Sequence, residues 1–171
     1  MNMMQSALDY AQRGWAVFPV NGIVDNRCTC GSADCHSPGK HPLFSGGFNI
    51  ATTDENTIRS WWSQVPDANI AIATGEPSGI FVLDIDVGNG KRGEQSLAEL
   101  EQKVGQLPTD AVVRTGSGGL HFYFALPPET IRNSASRLGE NIDVRGNGGY
   151  VIAPPSKHFS GHTYIWENLN A

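Results

Sequence analysis

Ile80-Phe81-Val82-Leu83-Asp84-Ile85-Asp86 is an apolar run that ends in two carboxylates. Side chains alternate across a strand, so Phe81, Leu83 and Ile85 share one face and Ile80, Val82, Asp84 and Asp86 the other. The run predicts a buried strand. Two like charges two residues apart on one strand face repel each other and cost desolvation, and a divalent cation relieves both. The competing reading is a strand that runs out into solvent, with Asp84 and Asp86 as its polar rim.

Downstream, Gly88, Gly90 and Gly93 spell G-x-G-x-x-G between this strand and a helix expected over 93–104, with Asp110 a plausible distance on. That is formally a dinucleotide fingerprint. It is set aside because Asp84 and Asp86 would face a pyrophosphate with the wrong charge, and because no second strand–helix–strand repeat follows. Lys91 and Arg92 remain candidate phosphate contacts. Strands are expected over 111–115 and 120–126, joined by Gly116-Ser117-Gly118-Gly119. Glycines around a serine leave backbone N–H groups free to cradle an anion. His121, at the exit of that loop, shares a strand face with Tyr123 and is a candidate phosphate ligand. The polar stretch 130–139 reads as a short helix. In a strand over 141–145, Asp143 and Arg145 share a face. Strands over 150–153 and, at a sheet edge, 163–166 complete this half.

Upstream, 6–13 reads as a helix ended by Gly14, 15–20 as a strand, 52–65 as a helix and 69–74 as a strand. Thr53 or Asp54 can cap the second helix. Ile58, Trp61, Trp62 and Val65 recur on it at helical spacing, which makes them core residues rather than base-stacking ones. Between these elements lies the stretch 21–47, polar, rich in Gly and Pro, and long for a loop in a compact domain. It holds all three cysteines, Cys28, Cys30 and Cys35, together with His36 and His41. Three thiolates and one imidazole make a tetrahedral zinc site of the structural kind, and the metal would order a loop that has few apolar residues of its own. His41 is favoured as the fourth ligand over His36, which adjoins Cys35. Lys40, next to His41, is a candidate phosphate contact.

The chain has 171 residues and a formal net charge of −5. That length suits one domain, here 1–171. The charge argues against a general basic nucleic-acid coat, though not against a local groove. No run is long and apolar enough to span a bilayer, and residues 1–9 lack the pattern of a signal peptide, so a cytoplasmic location is expected.

The polar residues expected on strands are Asp84, Asp86, His121, Asp143 and Arg145. If those strands are neighbours, three carboxylates converge on one sheet face and can hold two divalent cations, Mg²⁺ or Mn²⁺. Two such ions about 3.5–4 Å apart clamp the attacking and leaving oxygens of a phosphoryl transfer. Histidine, arginine and the glycine loop would then hold the rest of a triphosphate. This is nucleotidyl-transfer chemistry. There are two rivals: a metal-dependent nuclease that uses the same carboxylates, and a non-catalytic zinc-stapled nucleic-acid-binding module, whose binding would survive loss of Asp84 and Asp86.

Five ordered segments carry a resemblance. They are 7–19 (ALDYAQRGWAVFP), 51–54 (ATTD) with Trp61-Trp62, 73–79 (ATGEPSG) leading into Asp84-Ile85-Asp86, 114–124 (RTGSGGLHFYF), and 142–156 (IDVRGNGGYVIAPPS). Together they resemble the bifunctional DNA primase/polymerase domain (prim-pol) of the archaeo-eukaryotic primase superfamily, of the phage and plasmid replication type. The resemblance implies a two-lobed α/β (α+β) fold with an RRM-like βαββαβ palm and a zinc-binding loop insertion at about 21–47. It implies metal binding by Asp84, Asp86 and Asp143, and nucleotide binding by Ser117, Gly118, Gly119, His121 and Arg145. It implies a structural Zn²⁺ on Cys28, Cys30, Cys35 and His41. The implied partners are a single-stranded DNA template, a primer and (d)NTPs. It also implies that the chain is the N-terminal part of a larger replication protein, with helical primase and helicase regions elsewhere in it.

Overall fold

The computed structural model describes residues 2–88 and 90–170; Met1, Ala171 and Asn89, within the G-x-G-x-x-G loop, lie outside them. The first helix, α1 (Met3–Gln12), begins earlier than expected because the Asn2 side chain accepts the Gln5 N–H at 2.8 Å and caps it. Strand β1 (Val17–Val20) follows. The segment read as a plain loop from 21 opens instead with a hairpin, β2 (Ile23–Val24) and β3 (Arg27–Cys28). Asp25 and Asn26 turn it with φ of 48° and 58°, the positive values that a tight two-residue hairpin turn requires. Helix α2 (Glu55–Gln64) is capped by Asp54, whose carboxylate accepts the Thr57 N–H at 2.7 Å. Then come β4 (Asn69–Ala73), β5 (Ile80–Ile85), α3 (Gly93–Val104), β6 (Ala111–Arg114), β7 (Leu120–Ala125), β8 (Ile142–Arg145), β9 (Tyr150–Ala153) and β10 (Ile165–Leu169).

Two antiparallel sheets carry the fold. The smaller has the order β1-β4-β9 and the larger β10-β6-β7-β5-β8. Alternation along β5 sorts the core into two. Leu83 and Ile85 pack with Val112, Phe122, Ile142 and Val144 against Leu97 and Leu100 of α3. Val82, on the opposite face, packs with Val113 and Tyr123 into a second cluster shared with the smaller sheet and with α1 and α2. The face that carries Asp84 is therefore the one turned toward the smaller sheet. Trp62 is fully buried in that cluster and its indole N–H donates to the Ala68 carbonyl at 3.0 Å, a packing role.

Strands β6-β7-β5-β8, with α3 crossing between β5 and β6, supply the first part of the expected βαββαβ arrangement. Its second helix does not form. The stretch 130–139 instead runs along the free edge of β8, where Ser134 and Val144 exchange backbone hydrogen bonds at 3.0 and 2.8 Å. Pairing there covers an edge that a helix would have left open. The last strand lies at the large sheet's other edge, as expected, but over Ile165–Leu169. Among the described residues no helix is long and apolar enough to cross a membrane.

Candidate active site and metal centre

β5 lies between β7 and β8, and register does the rest. Asp84 stands opposite His121 on one side and opposite Asp143 on the other. Three residues far apart in sequence thus form one row across three adjacent strands. His121 Nε2 lies 3.4 Å from Asp84 Oδ1. Carboxylates directly opposite on neighbouring strands repel. Arg145, two residues along β8 and so on the same face, stands between them, with Nη2 3.3 Å from Asp84 Oδ2 and 3.0 Å from Asp143 Oδ2. The Ser136 backbone N–H donates to the other Asp143 oxygen at 3.1 Å. Asp86, just past the end of β5, pairs with Lys91 Nζ at 2.9 Å.

Burial pushes the Asp84 carboxyl up, but His121 and Arg145 outweigh it and hold the group well below the usual carboxylate range. Asp84 is therefore an anion at neutral pH, in a place where an isolated anion would be costly. Burial and the Asp84 charge both raise the Tyr164 phenol. Behind the row, His121 Nδ1 and the Tyr123 hydroxyl are buried without a hydrogen-bond partner among the described residues. Each such orphan costs about 1–3 kcal/mol. Both fall on the site face of β7.

Asp84, Asp86, Ser117, His121 and Arg145 line one cleft of about 390 Å³ between the two sheets. Asp143, paired with Arg145, is not among the lining residues. The three aspartates also do not draw their oxygens into one tight group: among the described residues, the set of His, Cys, Asp or Glu ligand atoms within 4.8 Å of one another is Cys28, Cys30, Cys35 and His41. The reason is visible in the ion pairs, since guanidinium and ammonium groups occupy the aspartate oxygens. Lys40 and Lys91, flagged from the sequence as phosphate contacts, both reach the cleft. Tyr150 and Tyr164, which also line it, carried no sequence signal, because only the meeting of the two sheets puts them there.

In the glycine loop, Gly118 N–H donates to the Thr115 carbonyl at 2.9 Å, and Thr115 N–H to the Gly119 carbonyl at 2.8 Å, so one loop N–H closes the turn itself. Neither Gly118 nor Gly119 lines the cleft. Gly119 is needed for space, since a Cβ there would run into the Ile85 carbonyl oxygen. Gly119→Ala is expected to push β7 off β5 and to destabilise the fold by about 1–3 kcal/mol. Thermal unfolding checks this, and an unchanged Tm would contradict it.

The cysteine set is compact. Cys28 ends β3, and its Sγ lies 3.5 Å from His41 Nε2; Cys35 Sγ lies at the same distance. A tetrahedral ion with Zn–S of about 2.3 Å and Zn–N of about 2.0 Å needs S···N edges of about 3.5 Å. The donor set therefore fits zinc, with His41 and not His36 as the imidazole. Hydrogen bonds from the Ser32 backbone and the Cys28 thiol hold the Cys30 thiol below its usual range, whereas burial raises that of Cys35. Asn21 backs the ring, with Nδ2 3.2 Å from His41 Nδ1.

Residues 7–170 match a family model described as bifunctional DNA primase/polymerase, N-terminal. No curated protein matches the chain.

Proposed function

The chain belongs to the bifunctional DNA primase/polymerase family, and on that premise we propose that it transfers nucleotides from (d)NTPs to a 3′-hydroxyl on a single-stranded DNA template. The observation that carries this reading is the row Asp84–His121–Asp143, in register across β7, β5 and β8. Hard divalent cations take carboxylate oxygens, and Asp84 offers them as an anion at neutral pH. Asp84, Asp86 and Asp143 would hold two Mg²⁺ or Mn²⁺ ions. Such ions neutralise the triphosphate and activate the attacking hydroxyl. The cationic side chains that now cover these carboxylates, Arg145 and Lys91, are the natural ligands of the triphosphate, with His121 and Ser117 beside them. Catalysis then rests on positioning and charge neutralisation, without a covalent nucleophile. Zn²⁺ on Cys28, Cys30, Cys35 and His41 is structural.

Primer extension on a single-stranded template, with NTPs and dNTPs supplied separately, tests this. Growth of the primer is expected only with a divalent ion and nucleotides together. Cleavage of DNA without nucleotides, and no extension, would replace the polymerase reading by a nuclease.

A further inference from the structure

We propose that Lys40 binds a phosphate of the incoming nucleotide, and that the Cys28–Cys30–Cys35–His41 centre is what holds it in place to do so. This rests on the polymerase reading above.

Lys40 belongs to the zinc loop in sequence and to the cleft in space. Its neighbour His41 is a donor of the metal set, and Lys40 itself is among the residues that line the cavity with Asp84, His121, Lys91 and Arg145. The backbone on both sides is tied down. Gly39 N–H donates to Cys28 Sγ at 3.4 Å, and the Gly39 carbonyl accepts from Asn69 Nδ2 at 2.9 Å. The Tyr150 hydroxyl donates to the Lys40 carbonyl at 3.1 Å, and the Asn21 N–H to the His41 carbonyl at 2.9 Å. Gly39 itself has a φ of 73°, which a side chain rarely adopts.

Charge separates Lys40 from the cleft's other cations. Lys91 and Arg145 are already paired with aspartates. Lys40 has no carboxylate within 4.0 Å among the described residues. Its charge is nonetheless felt nearby: burial, with Lys40 and His162, pushes the His158 imidazole down to about 4. A lysine without a carboxylate partner, on a backbone held at the cleft wall in a chain of net charge −5, is a site for an anion. The cleft, at about 390 Å³, falls within the range of pockets for single small ligands. The phosphate is therefore assigned to the nucleotide rather than to a passing DNA strand.

The link to zinc follows from the same contacts. Cys35 and His41 bracket Lys40, and Cys28 holds Gly39. The loop buries few apolar side chains, so the ion would supply its order. Loss of zinc frees the segment that carries Lys40, although none of Cys28, Cys30, Cys35 and His41 lines the cleft.

The test measures dissociation constants of the full chain for dNTP with Mn²⁺ by calorimetry, and for a primer–template separately. Lys40→Ala is expected to weaken dNTP binding about tenfold, the worth of one charge-assisted hydrogen bond. The nucleotide KM should rise in proportion and kcat change much less, and Lys40→Arg should recover most of the affinity. Cys28→Ser should weaken dNTP binding similarly, with little added by Lys40→Ala in the double variant. Unchanged dNTP binding in Lys40→Ala would overturn the assignment, as would a loss confined to primer–template. A wild-type chain that binds no dNTP would remove the polymerase reading and this assignment with it.

Discussion

Asp84→Asn is expected to reduce primer extension at least about a thousandfold, the scale of losing a group that organises charge at the reacting atoms. The substitution keeps the shape and removes the charge. Asp84 is the hub of the row, because His121, Arg145 and, through Arg145, Asp143 all converge on it. An amide at this position cannot take a hard cation as a carboxylate does. It would also leave Arg145 with Asp143 alone. Folding should survive, because the packing of Val82 and Ile85 around it is untouched. Circular dichroism and a Tm close to that of the wild type would show that the loss is chemical. Extension at the wild-type rate would remove Asp84 from the site.

Removing zinc is expected to have the largest effect on stability. The segment 24–37 is mostly exposed and has little core of its own. The loop is fastened to the smaller sheet through Asn69, whose side chain donates to the carbonyls of Gly39 and Lys157 at 2.9 and 2.8 Å. Its disorder would therefore be felt in the sheet. A coupling of about 3 kcal/mol would lower Tm by about 6–12 °C. The purified chain should hold one zinc, and chelation should make all three thiols reactive together. A chain with free, fully reactive thiols and a Tm indifferent to chelators would contradict the assignment.

Much of the site was legible because its parts are local. Alternation from Ile80 to Asp86 reports two covered faces, and the structure covers both. Cysteine spacing pointed to a metal, and helix α3 has the bounds read from its apolar spacing. What local pattern cannot carry is register. That Asp143 stands opposite Asp84, rather than one residue away and on the other face, depends on how two distant strands meet. The same limit hid Tyr150 and Tyr164. The expected helix over 130–139 failed for a related reason: a polar stretch with weak periodicity took the hydrogen bonds offered by the edge of β8. The glycine loop shows a second limit: composition did not say that the Gly118 N–H is used inside the turn, nor that Gly119 supplies steric room beside the Ile85 carbonyl.

Crystals grown with Mn²⁺ and a non-hydrolysable dNTP, examined by anomalous diffraction, test the central claim most directly. The account predicts a manganese peak on the oxygens of Asp84, with the triphosphate lying between His121 and Arg145 in the same cleft. Manganese bound elsewhere, or a nucleotide seated away from the β7–β5–β8 row, would contradict it.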